Sequence, residues 1–266
     1  MNRLLVTGAA GIVGTALRPL LAARFPEILL TDREEVPSCE LAGNETFLRG
    51  DLADATFIDE AMSDVDAVLH LGGLVGPDFT FDEVLSSNIV GTRNVFEAAR
   101  KNAIPRVVYS SSHHAVGFYR REDEVNESTI PRPDSFYGLS KAFGEETGSY
   151  YADKFGLRVL SIRIGYVGEQ VIDERRLHTW ISSRDLMQLV EIGLFHPELH
   201  YEIVYGVSNN PGSFFDNGNA ERLGYQPHDQ AIDHLADPGI LDQAPGPGAE
   251  GTHVGGHFAD RTEELR

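Results

Sequence analysis

Tyr137 and Lys141 stand four residues apart in the run Tyr137-Gly138-Leu139-Ser140-Lys141. On a helix that spacing puts both side chains on one face. A nearby ammonium favours the phenolate, so it lowers the tyrosine pKa toward the working range of a general base. Ser112 lies 25 residues upstream, just past a run that reads as a β-strand. In an open parallel sheet, that rim is where ligands bind. A second constellation is Thr7-Gly8-Ala9-Ala10-Gly11-Ile12-Val13-Gly14, which follows a short apolar run and opens a helical one. Glycines there permit a tight turn and the close approach of backbone N–H groups to a pyrophosphate. The plainer alternative is a tight turn with no ligand. Asp32 comes 18 residues beyond Gly14. A carboxylate at that place can accept from adenosine ribose hydroxyls, and it repels a 2′-phosphate, which favours NAD over NADP. Arg33 beside it could hold that same phosphate. Asp51 and Leu52 close a third strand, where they could flank an adenine or merely cap a helix.

These residues need a scaffold, and the pattern supplies one. Strands are expected at 4–7, 28–31, 46–49, 67–71, 106–110 and 158–164, with helices at 12–24, 54–62, 81–101 and 136–154 between them. Asp54 reads as a helix N-cap. Buried β-branched strands alternating with helices point to an α/β fold, a doubly wound parallel sheet of Rossmann type. The second half is less regular, with a helix at 183–194 and a strand at 201–207. The Gly- and Pro-rich stretch 243–256 reads as an extended surface segment. No linker interrupts the chain. We therefore expect one domain over 1–266, in which about 165–266 forms a small C-terminal region covering the substrate.

Composition narrows the function. Lys+Arg number 22 against 41 Asp+Glu, a net charge of −19, so a nucleic-acid surface is not expected. No apolar stretch approaches the ~18 residues of a membrane span. Gly8, Gly11, Gly14, Arg18 and Pro19 interrupt the apolar N-terminus, which argues against a signal peptide. A soluble, cytoplasmic protein is expected. The single cysteine, Cys39, allows no internal disulfide, and adjacent His113 and His114 do not have metal-ligand spacing. Only Lys101, Lys141 and Lys154 are lysines. That reads either as adaptation to a saline interior or as coding bias toward arginine.

The TGxxGxxG turn, His70-Leu71-Gly72-Gly73, Asn88, Ser110-Ser111-Ser112 and YxxxK cover residues 1 to about 165. Together they resemble a short-chain dehydrogenase/reductase of the extended, sugar-modifying type. A narrower resemblance, to the uronate dehydrogenase family, runs nearly the full chain. It is carried by LLVTGAAG, GDLADA, HLGG, the SSHH segment from Ser111, RPDSFYGLSK, RIG at Arg163, TW at Thr179, SNNPGSFFDN and a late GGxF at Gly255.

The resemblance implies oxidation of D-glucuronate or D-galacturonate at C1, with NAD as cofactor, to an aldarolactone. It makes Tyr137 the base, Lys141 its activator and a nicotinamide-ribose ligand, and Ser112 the orienting hydroxyl. It implies cofactor contacts at Gly8, Gly11, Ile12, Val13, Gly14, Asp32, Asp51, Leu52, Leu71, Gly72, Gly73, Asn88 and Ile164. His114 and Arg175 match substrate contacts, and an arginine can hold the uronate carboxylate bidentately. Val75, His113 and Tyr166 fall at sugar-site positions where the resemblance implies Ser, Asn and Ser, so fine preference departs there. A homo-oligomer using the helices 81–101 and 136–154 is also implied.

Other residues have quieter readings. His70 is expected to be structural, Phe214-Phe215 either a sugar-site wall or core, and Arg176 solvated. Two other functions stay open. A nucleotide-sugar epimerase or dehydratase shares the fold and the trio, but 125 residues after Lys141 leave little room for a nucleotide diphosphate. An idle NAD sensor would have no need of a poised base.

Cofactor choice follows from Asp32. NAD is expected to be strongly preferred, and Asp32→Ala should narrow the gap when catalytic efficiencies with NAD and NADP are compared. Equal efficiencies in the parent protein would refute the assignment.

Overall fold

Strand β1 (Arg3–Thr7) leads through the glycine turn into helix α1 (Ile12–Arg24), followed by β2 (Glu27–Asp32), β3 (Glu45–Arg49), α2 (Ala55–Ala61) and β4 (Ala67–His70). Then come α3 (Phe81–Val84), a π-helical turn (Leu85–Val90), α4 (Gly91–Lys101), β5 (Arg106–Ser112) and α5 (Phe136–Phe155). The chain continues with β6 (Arg158–Ile164), β7 (Tyr166–Val167), α6 (Glu174–Thr179), β8 (Trp180–Ile181), α7 (Ser183–Phe195) and β9 (Tyr201–Gly206). This is a computed structural model, and it describes residues 1–260.

Seven strands pair in parallel in the order β3-β2-β1-β4-β5-β6-β9, with β7 and β8 forming a separate pair. The expected doubly wound α/β sheet is present. Its strand order reverses between β1 and β4, which opens a crevice at their C-terminal ends. Both faces of the sheet are covered. Leu4 and Val6 of β1 pack with Leu17, Leu21, Leu186 and Leu189 of α1 and α7. Leu5, between them, packs with Ile58, Val95, Phe96 and Tyr151 of α2, α4 and α5. Burial on both sides explains why these strands read as continuous apolar runs. Asp54 caps α2 as expected, accepting from the N–H groups of Thr56 and Phe57.

A polar tie crosses this apolar frame. Arg163 on β6 and Glu145 on α5 form a buried bidentate pair, Nε to Oε1 at 2.8 Å and Nη2 to Oε2 at 2.9 Å. The Ser111 hydroxyl donates to Glu145 Oε1 at 2.5 Å, and Arg163 Nη1 donates to the Tyr205 hydroxyl at 2.8 Å. The pair therefore joins α5 to β5, β6 and β9.

The structure departs from expectation at several places. The helix expected over 81–101 is interrupted by the π turn, where one extra residue per turn re-aims Asn88. Strand β5 runs two residues further than expected, so Ser112 is its last residue rather than lying past it. Strand β4 stops at His70 and β9 at Gly206. The segment 243–256 is not a surface extension throughout. It turns inward at Ala249–Thr252, and Val254 is fully buried. Its backbone pairs with the 117–121 loop through Val254 N–H to Tyr119 O and Gly255 N–H to Gly117 O. Phe214 and Phe215 belong to a small core with Val116, Tyr205 and Val254. Among the described residues, no helix is long and apolar enough to cross a membrane.

Breaking the buried pair should be costly, because one charge would remain without its partner. Arg163→Leu is expected to lower unfolding stability in urea by about 3–5 kcal/mol. A loss below about 1 kcal/mol would mean that water reaches Glu145 and relieves it.

Candidate active site

One cavity of about 560 Å³ runs across the C-terminal ends of the strands, from Asp32 past the glycine turn and Ser112 to Tyr137, Arg175 and Phe258. At one end Gly8 has φ +71°, and a Cβ there would lie 2.5 Å from Gly72 N. A Cβ at Gly14 would lie 2.4 Å from Gly8 O. The turn is therefore closed on itself and against the end of β4, and only glycine fits at these two places. Gly11, the residue before helix α1, supplies no side-chain cap, so the first N–H groups of α1 are free for an anion. Asp32 Oδ2 accepts from Ala10 N–H at 3.0 Å and Oδ1 from Glu34 N–H at 3.1 Å, while the side chain lines the cavity. Asp51 accepts from Ala53 N–H at 2.9 Å. Gly11, Ile12, Val13, Leu52, Leu71, Gly72, Gly73 and Ile164 line the same cavity. The side-chain-free cradle with a carboxylate beyond it fits a dinucleotide such as NAD.

Asn88 sits differently. It lies behind the wall, where it accepts from Leu74 N–H at 2.7 Å and donates to Leu74 O and the Ser140 hydroxyl. It shapes the loop that carries Val75 instead of facing the cavity. His70 is fully buried between Thr7 and Thr92, with its pKa pulled down to about 3 by burial and the Lys141 charge. It is the structural residue expected.

Ser112, Tyr137 and Lys141 converge on the middle of the cavity. Lys141 Nζ donates to Ser110 O at 2.7 Å and lies 5.6 Å from the Tyr137 ring centre. Burial pulls the Lys141 pKa down to about 8. Burial also pushes Tyr137 up to about 12, with the Asp134 charge adding to the rise and the Ser112 hydrogen bond opposing it. The expectation was that the nearby Lys141 lowers the Tyr137 pKa toward the working range; in the fold by itself burial raises it instead. Desolvation of the phenolate outweighs a cation whose hydrogen bond goes to a backbone carbonyl.

At the far end, Arg175 is buried. Its Nε and Nη2 donate to Val254 O at 3.2 and 2.8 Å, and Nη2 also meets His113 Nε2 at 2.7 Å. The other nitrogen of His113 bonds Ile164 O at 3.0 Å. Both His113 nitrogens are engaged within the protein, and burial holds its pKa well down. His113 therefore supports Arg175 and has no nitrogen free for a sugar, although the resemblance put it at a sugar-site position. Arg175 keeps Nη1 without a partner among the described residues, so it offers one nitrogen to a ligand and not the full fork. His114 bonds Asp134 Oδ2 through Nδ1 at 2.7 Å. Its ring stacks on Phe258 at 4.0 Å and meets Tyr137 edge-on at 5.8 Å.

Val75 and Tyr166 line the wall. Arg176 is not simply solvated. It pairs with Asp173, lies 4.6 Å over the Tyr166 ring and lines the cavity. Phe258 and Asp134 were missed as site residues. Each falls inside a stretch that the sequence pattern singled out, GGxF and RPDSFYGLSK. Their contacts with His114, however, come from segments far apart along the chain.

The model of the NAD dependent epimerase/dehydratase family matches residues 4–183. A uronate dehydrogenase of Pseudomonas putida is 41% identical over 262 residues, covering 97% of this chain and 96% of that protein. The crystal structure of uronate dehydrogenase from Agrobacterium tumefaciens superposes with a TM-score of 0.90 at 34% identity, covering 98% of both chains. A point variant of that enzyme complexed with NAD superposes equally well, at TM-score 0.90 and 34% identity.

Lys141 links the site to pH. An unfolded lysine titrates near ~10.4, whereas in the fold Lys141 titrates near about 8. Between those values the unfolded chain binds more protons, so stability gains from this group as pH rises. The stability of the parent protein minus that of Lys141→Met should therefore climb from pH 8 to pH 10, measured by urea unfolding. A flat difference would show that burial does not penalise the ammonium.

Proposed function

Because this chain belongs to the NAD dependent epimerase/dehydratase family, and within it to the uronate dehydrogenases, we propose that it oxidises a uronate, D-glucuronate or D-galacturonate, at C1 to the aldarolactone. One observation carries the reading. The fixed guanidinium of Arg175 shares a cavity with the Ser112-Tyr137-Lys141 trio, at the end away from the glycine turn. The protein carries −19 charges, so an anionic sugar gains nothing from long-range attraction and needs a local cation.

The glycine turn, the α1 N-terminus and Asp32 would hold NAD, with Asp51, Leu52, Leu71, Gly72, Gly73 and Ile164 lining the rest of its path. Bound NAD supplies the hydride acceptor, and its cationic ring favours a neighbouring phenolate. Ser112 orients the anomeric hydroxyl. Tyr137 takes the hydroxyl proton, and Lys141 compensates the phenolate charge. Arg175 Nη1 holds the carboxylate, while His114 Nε2 meets a sugar hydroxyl. His113 keeps Arg175 in place, and Val75 and Tyr166 bound the space around the sugar. A nucleotide-sugar epimerase would need the Arg175 end to accept a nucleotide diphosphate, and Phe258, stacked on His114 at the cavity wall, takes up room there.

The same reading takes the enzyme as a cytoplasmic homo-oligomer. Phe81, Leu85, Phe136, Leu139 and Phe143 are exposed on α3, the π turn and α5, and support self-association through those helices.

The test is reduced-nicotinamide absorbance with glucuronate, galacturonate, glucose, galactose and a UDP-sugar. Uronates are expected to be turned over far better than the neutral sugars. Arg175→Ala should raise KM for uronate by roughly 10-fold, in line with ~1.5–3 kcal/mol for a charge-assisted hydrogen bond, and leave glucose nearly unaffected. Equal weakening of both substrates would make Arg175 structural, and preference for the UDP-sugar would overturn the reading.

A further inference from the structure

Behind the cavity wall, in the loop that leads into α5, Asp134 fills a space left for it by three other stretches of chain. A Cβ at Gly117 would lie 1.8 Å from its Oδ2, and a Cβ at Gly255 would lie 1.9 Å from the same oxygen. A Cβ at Gly138 would lie 3.1 Å from Oδ1. Glycines of the 117–121 loop, of α5 and of the C-terminal segment thus enclose one carboxylate. No larger residue at Gly117 or Gly255 would leave room for it.

Within that space the Ser135 hydroxyl donates to Asp134 Oδ1 at 2.9 Å, and Oδ2 lies 2.7 Å from His114 Nδ1. Burial pulls the His114 pKa well below the usual imidazole range and pushes Asp134 up to about 6, so above that pH a neutral ring faces a carboxylate. A neutral imidazole carries one hydrogen, and a carboxylate accepts it. The hydrogen therefore sits on Nδ1, and Nε2 is a bare acceptor. Nε2 has no partner among the described residues, and His114 lines the cavity beside Tyr137.

We propose that Asp134 is a positioning residue for the sugar, holding His114 in the Nδ1–H tautomer so that Nε2 accepts from a substrate hydroxyl and turns away the carboxylate. A lone pair pointing at a carboxylate oxygen is repulsive, whereas Arg175, bonded to the neighbouring His113 at 2.7 Å, presents N–H. The two groups together allow a uronate to lie only one way round, with its carboxylate toward Arg175. Asp134 touches neither substrate nor cofactor and acts through His114. The inference rests on the uronate oxidation proposed above.

Two measurements test it. The first needs no substrate. In 15N-resolved imidazole spectra of the parent protein, with His114→Ala giving the assignment, His114 should carry its hydrogen on Nδ1. Asp134→Asn, which keeps the size of the side chain, should shift that signal toward the other tautomer. The second is a double-variant cycle on uronate turnover. Asp134→Asn should lower kcat/KM about 10-fold, the scale of losing a hydrogen bond to a charged group, and leave the NAD Kd within about two-fold. It should add no further loss in a His114→Ala background, because Asp134 acts only through that ring. An Nε2–H tautomer in the parent protein overturns the proposal. So does a loss from Asp134→Asn that adds fully to that of His114→Ala, which is what a purely structural role would give. If the parent protein fails to oxidise uronates, the functional reading falls, and the tautomer measurement still decides the role of Asp134.

Discussion

The buried pair between Arg163 and Glu145 sets the geometry on which the rest of the site depends. Removing two charges from water is costly, and their attraction offsets that only when nearly every donor and acceptor is satisfied. Here both carboxylate oxygens meet guanidinium nitrogens, and Ser111 and Tyr205 close the network. Such a network tolerates little displacement. It fixes the rotation of α5 at Glu145, and Lys141 and Tyr137 lie four and eight residues back along the same stripe of that helix. Ser111, which bonds Glu145, is the neighbour of Ser112 on β5. The pair thereby sets the distance between Tyr137 and Ser112, the proposed base and orienting hydroxyl, without touching either. Its role lies in geometry, since a well-packed apolar replacement could be at least as stable.

The two ends of the cavity are built by different means. The cofactor end is local, because residues 7–14 form a turn that needs only β1, β2 and the end of β4 for support. The sugar end is assembled from afar. Arg175 is held by Val254 O, His114 is covered by Phe258, and Asp134 is enclosed by Gly117 and Gly255. On the proposed function, the C-terminal segment would thus form the floor of the sugar site. A rigid site of this kind would suit the proposed uronate, held by one guanidinium in a strongly acidic protein.

That difference decides what could be read from the sequence. The glycine turn, Asp32, the YxxxK face and the doubly wound sheet were legible because each depends on short-range spacing or on burial patterns along a single strand or helix. The environment of Tyr137 was not. Spacing puts Lys141 near it but says nothing about desolvation, and burial carries the phenol upward. The resemblance put His113 at a sugar-site position, whereas its nitrogens are taken by Ile164 O and Arg175, which only the folded chain brings near. The stretch 243–256 looked like surface because Gly and Pro dominate it. Gly255 is present for close packing against Asp134, a reason that composition cannot distinguish from a flexible turn.

The central claim is that the hydrogen removed as hydride is the one on C1 of a uronate. Glucuronate deuterated at C1 tests this directly when incubated with the enzyme and NAD, with the reduced nicotinamide then examined by mass spectrometry. The account predicts one deuterium in each reduced nicotinamide formed. Reduced nicotinamide without deuterium, or no reduction of NAD by the uronate, would contradict it.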